Sequence, residues 1–146
     1  MTERSLIHIS ANLRKDLYSY DKYIIEAICT SKQCKKADKK FEYLINHRLC
    51  GSFKHNYCSY INSFCYIGYM RFEKNYENFD YFLLFLSEKC IYYPKESNFL
   101  GFIRNDYIEF PEYLILNKEG YIDRIDYKKL RKKPCKKKLP LTSVSL

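Results

Sequence analysis

Glycine is scarce in this chain of 146 residues, and its four copies, Gly51, Gly68, Gly101 and Gly120, stand far apart. Isolated glycines cannot form a Gly-rich phosphate cradle, which excludes the P-loop and dinucleotide-binding classes of nucleotide enzyme. Long apolar runs are missing too. The longest uncharged stretch, Asn56 to Met70, is too short and too rich in Asn, Ser and Tyr to span a bilayer. Arg4, His8, Arg14, Lys15 and Asp16 interrupt the first twenty positions before the apolar core of a secretory signal can form. An intracellular protein, nuclear or cytoplasmic, is therefore expected, with no membrane partner. No internal repeat is evident.

Alanine, arginine and proline are also rare, whereas Lys, Tyr, Phe, Ile and Asn abound. The scarce types are written with GC-rich codons and the abundant ones with AT-rich codons, which points to an AT-rich replicon such as a virus. Such a bias raises Lys and Tyr counts by itself, so basic and aromatic composition alone does not argue for nucleic-acid binding.

Acidic residues are absent from one segment in particular. The formal net charge is +9, but Lys128, Lys129, Arg131, Lys132, Lys133, Lys136, Lys137 and Lys138 fall together with no acid among them, leaving 18 basic against 17 acidic residues elsewhere. The length suits one domain. The expected organisation is a single compact domain over 1–127 and a flexible basic tail over 128–146, which Pro134 and Pro140 keep from becoming a helix.

Periodicity predicts an α+β fold. Leu13, Leu17, Tyr20, Ile24 and Ile28 recur at helical steps, with Ser10 or Asn12 as cap, and Phe41, Leu44, Ile45 and Leu49 mark a second helix over about 36–49 that Gly51 stops. These two form an N-terminal helical pair. Aromatic content tilts 57–72 towards strand. A central, mostly buried helix is expected over about 76–91, where Phe79, Phe82, Leu83, Leu84, Phe85 and Leu86 leave few polar sides. Tyr113 to Leu116 and Tyr121 to Tyr127, joined by Asn117-Lys118-Glu119-Gly120, predict a C-terminal antiparallel β-hairpin or small sheet, with Phe99 to Phe110 as a further strand.

Seven cysteines, an odd number without a signal peptide, read as reduced thiols or metal ligands rather than a disulfide framework. Cys29 and Cys34 could form one ligand pair, and His47 and Cys50, three apart, the other. The interval from Cys34 to His47, with Leu44 three residues before the histidine, is similar to part of the zinc-finger pattern, and that resemblance implies a zinc ion held by Cys29, Cys34, His47 and Cys50. The alternative is that these cysteines are small core hydrophobes.

A two-acid-plus-Lys nuclease site would use Asp106 or Glu109 with Asp126 and Lys128, although Asp38 and Lys40 repeat the same spacing in so charged a chain. Tyr57, Tyr60, Tyr66 and Tyr69 fit either a stacking surface for single strands or core packing. The tail is similar to nuclear localisation signals, which implies an import-receptor partner; its charge also suits nucleic-acid phosphate. Taken together, these features predict a non-enzymatic accessory protein that binds a macromolecular, most readily protein, partner. The alternatives are a nucleic-acid-binding regulator, zinc-stabilised or not, and a small metal-dependent nuclease.

Overall fold

Strict alternation in Ser5-Leu-Ile-His-Ile-Ser-Ala-Asn-Leu-Arg14 builds the first element, strand β1 (Ser5–Arg14), which buries Ile7, Ile9, Ala11 and Leu13 and turns Leu6, His8, Ser10 and Asn12 the other way. The computed structural model describes residues 4–30, 41–56, 61–105 and 110–126. After β1 come α1 (Ser19–Thr30), α2 (Glu42–Asn46), β2 (Arg48–Asn56), β3 (Ile61–Met70), α3 (Phe72–Lys89), β4 (Asn98–Asn105), β5 (Glu112–Leu116) and β6 (Ile122–Asp126).

The six strands form one antiparallel sheet in the order β2-β3-β1-β4-β5-β6. β1 lies inside it, with Ser5 opposite both Met70 and Asn105. This overturns the expected architecture of a helical pair followed by a separate hairpin. The chain begins in the sheet, and the hairpin of β5 and β6 is the edge of that same sheet.

Three local corrections explain the difference. Leu13 and Leu17 are both buried, as a helix would have them, but Leu13 ends β1 and is bridged to Cys90, while the helix starts only at Ser19. Ser10 and Asn12 are exposed strand residues, not caps. Of the second helix, 36–40 fall outside the described residues and the described part is Glu42 to Asn46; Leu49 and Gly51 belong to β2, where a bulge between Arg48 and Cys50 leaves Leu49 60% exposed. α3 is amphipathic rather than mostly buried: Phe79, Phe82, Leu83 and Leu86 face the core while Asp80, Tyr81, Leu84 and Glu88 face out.

One apolar cluster holds the layers together. Ile24, Ile25 and Ile28 of α1, Leu44 of α2 and Phe82 of α3 meet Ile9, Phe64, Tyr66 and Leu114 of the sheet, and Phe41 touches the rings of Phe82 and Phe85. The fully buried apolar side chains of the sheet all lie on this one face, so the helices share it. Polar locks tie the layers: the Tyr66 hydroxyl donates to the Leu44 carbonyl at 2.8 Å, and Arg124 grips Glu112 through Nε at 2.7 Å while reaching Asp80 of α3 at 3.4 Å. The fully buried Asn62 sits 2.5 Å from Nδ1 of His55 and donates to the Arg14 carbonyl at 2.9 Å, pinning β2, β3 and β1 at one end.

Gly120 takes φ 89° in the hairpin turn, where Oδ1 of Asn117 accepts the backbone N–H of Glu119 and of Tyr121, both at 3.0 Å. Gly101 has a different reason to be glycine. A Cβ there would land on the His8 carbonyl oxygen of the neighbouring strand. No helix among the described residues is long and apolar enough to cross a membrane.

Candidate functional site

Where β1 and β2 begin and β3 ends, strand termini bring together residues far apart in sequence. Arg4, His47, Arg48, Tyr69 and Arg71, with Asn46, Leu49 and Met70, line an open cleft of about 510 Å³. The backbone N–H of Tyr69 donates to the His47 carbonyl at 3.0 Å, fixing the turn after α2 against the end of β3. The Arg4 guanidinium stacks over the Tyr69 ring at 4.9 Å. Arg48 points its Nη1 at the C-terminal carbonyls of α1, Ile28 at 3.4 Å and Cys29, where a cation also satisfies the helix dipole. Arg71 is the residue before the first turn of α3, which has no side-chain cap.

None of the described residues that line this cleft carries a carboxylate. Three arginines and a histidine converge with an aromatic ring and the uncapped start of an 18-residue helix, so the local field favours an anion. Guanidinium forks match phosphate or carboxylate oxygens in pairs of hydrogen bonds.

The sheet face opposite the helices carries the second distinctive surface. His8, Phe102 and Tyr113 form a row across β1, β4 and β5, since His8 is opposite Phe102 and Phe102 opposite Tyr113. Ring contacts link His8 to Phe102 at 5.3 Å and Phe99 to Tyr113 at 5.7 Å, and Phe99 is 57% exposed. Two residues nearer the cleft, Leu6 is opposite both Tyr69 and Arg104. The cleft and the aromatic row are therefore continuous along the sheet.

The sites expected from sequence fare differently. Cys29 is buried at the end of α1, its thiol pushed up to about 12 by burial, partly offset by the nearby Arg48 guanidinium. Cys50 is exposed on β2 and His47 lies in the cleft, while Cys34 falls outside the described residues. Among the described residues, no three His, Cys, Asp or Glu side chains gather as a metal ion would need. Asp126 ends β6 opposite Glu112, but Asp106, Glu109 and Lys128 fall outside the described residues, as do the whole tail from Lys128 and the rings of Tyr57 and Tyr60. Tyr66 is a core residue; Tyr69 does face outward, at the cleft.

Arg4, Arg48 and Arg71 went unnoticed because nothing in a linear reading links three isolated arginines. A trace of the aromatic row was available: alternation over 5–14 separates His8 from Ile7 and Ile9. Comparison of the chain with protein families, curated proteins and solved structures finds no match.

Proposed function

We propose that the protein acts by binding a polyanionic macromolecular partner rather than by catalysis, using the arginine-lined cleft as the fixed part of the site and the basic tail as a second contact. The observation that carries this reading is the convergence of Arg4, Arg48, Arg71 and His47 on one cleft with no carboxylate among its described lining residues. β6, the edge strand opposite β2, finishes at the same end of the strands as the cleft, since Asp126 is opposite Glu112, Glu112 opposite Ile103 and Ile103 opposite Ile7. From there the chain runs on into Lys128 to Lys138, whose density of charge suits phosphate.

Titration with fluorescein-labelled inorganic polyphosphate at several salt concentrations tests this. The full chain binds with an affinity that falls steeply with salt. Arg4→Glu with Arg71→Glu weakens binding at least tenfold, and replacing the tail lysines by glutamine in the full-length chain lowers the salt slope. Wild-type affinity in the cleft variant would sink the proposal.

A further inference from the structure

Beyond a general polyanion, we infer that the ligand is single-stranded nucleic acid, with its phosphates in the arginine-lined cleft and its bases on the open sheet face. This rests on the polyanion-binding reading and narrows it to one ligand class.

Three observations carry it. The first is geometric: the face turned away from the helices is covered by no described element, and its aromatic residues are gathered rather than scattered. His8, Phe102 and Tyr113 sit side by side on three adjacent strands, about 10 Å from first to last at the ordinary strand spacing. The pairs His8–Phe102 and Phe99–Tyr113, at 5.3 and 5.7 Å, give two platforms on which a planar base can stack.

The second is charge. Alternation places Arg14, Lys54 and Arg104 on this face, against Asp123 on the outer strand β6, held by the Asn117 amide at 2.9 Å, and Glu96, which lines a pocket with Ser10, Asn12 and Phe99 at its far end. Arg14 has Asp16 as a distant partner at 3.9 Å. Arg104 stands between the aromatic row and the cleft, so a cation lies on the path from the bases to the phosphates. A second copy of this chain, offering the same cationic face, would be repelled at that contact. A polyanion is attracted.

The third is the lack of rigid pairing geometry. The rings are inclined to one another, by 51° for His8 and Phe102 and 66° for Phe99 and Tyr113, and planar bases stack on them only if they are unpaired. A duplex offers the cleft its phosphates and the rings nothing.

The test uses the full chain, a fluorescein-labelled twelve-residue oligouridylate, the corresponding duplex RNA and inorganic polyphosphate. Phe99→Ala removes a largely exposed ring, and Phe102→Ala a half-buried one; thermal melting confirms that each variant is folded. The expected result is that oligouridylate binding weakens about tenfold or more in each. Polyphosphate binding stays at wild-type strength, and the duplex binds more weakly than the single strand. Ultraviolet cross-linking of the oligouridylate to the segment 99–113, read by mass spectrometry, is the expected signature independent of the variants.

Unchanged oligouridylate affinity in both ring variants overturns the stacking proposal while leaving polyanion binding intact. Equal affinity for duplex and single strand does the same. Loss of polyphosphate binding together with oligouridylate binding in the wild type overturns both. A concentration-dependent dimer in sedimentation that Phe99→Ala dissolves assigns the face to a second copy instead, and also overturns it.

Discussion

Lys89 Nζ lies 3.1 Å from Asp21 Oδ2, and both side chains are only 12% exposed. The pair joins the last turn of α3 to the first turn of α1, so each charge also sits at the helix end whose dipole favours it. Lys89 stacks over the Phe85 ring as well, at 5.1 Å. Removing one partner strands a buried charge, whereas removing both does not. Asp21→Asn and Lys89→Met are each expected to destabilise by about 3 kcal/mol. The double variant should lose clearly less than the sum. Urea denaturation of the four proteins in a double-mutant cycle checks this.

Two buried tyrosines of the core, Tyr43 and Tyr66, differ in one respect. Tyr66 donates to the Leu44 carbonyl, while the Tyr43 hydroxyl is buried without a hydrogen-bond partner among the described residues. Burial pushes both phenols above their ordinary value. Tyr66→Phe should therefore cost about 1 kcal/mol, and Tyr43→Phe should be neutral or stabilising. Thermal melts of the two variants separate these outcomes.

Gly101→Ala is expected to be among the most damaging small substitutions in the chain. The added methyl group collides with the His8 backbone, which cannot swing aside as a side chain could. A loss of about 3 kcal/mol follows, in the range of overpacked sites. Hydrogen exchange would show it as lost protection in β1 and β4, at the register of Ile9 and Gly101.

Thiol chemistry carries a pH prediction. Burial pushes Cys29 and Cys90 from an ordinary value of 9.0 up to about 12, so both stay neutral in the folded protein. Because these thiols ionise more readily once unfolded, their contribution is intact below pH 9 and is lost as the pH rises from 9 towards 12. Each thiol adds at most about 1.4 kcal/mol per pH unit to that decline. Urea midpoints measured from pH 8 to 11 check it. Under native conditions at pH 8, iodoacetamide should modify exposed Cys50 before Cys29 or Cys90, as peptide mass spectrometry would show.

Sequence reasoning recovered elements whose signal is local. The turn from Asn117 to Gly120 declares itself through a glycine in the left-handed region and an asparagine that caps its own loop. α3 is long and periodic enough to stand out. β1 was missed despite its alternation over 5–14, because Leu13 and Leu17 satisfy a helical step as well as their places in a strand and a following loop. β2 was not legible. As an edge strand with a bulge at its start, it places Arg48, Gly51 and His55 on the helix side, where an inner strand would carry aliphatic residues. The candidate site was hidden for another reason: its arginines occupy the ends of separate elements, and only the strand order brings them together. The tail drew attention by charge alone, while the cleft is made by topology.

β1 is synthesised first and can be completed only late. Its partners are β3, which ends at Met70, and β4, which ends at Asn105, so Ser5 must wait for a residue 100 positions further along. Until β3 emerges both of its edges are unsatisfied, and until β4 follows one of them still is. Closing such distant pairs is entropically slow, which places folding of this chain towards the millisecond-to-second range of sheet proteins. Nascent chains that stall before β4 emerges will expose an adhesive edge of β1, and they are the species on which chaperones should be found.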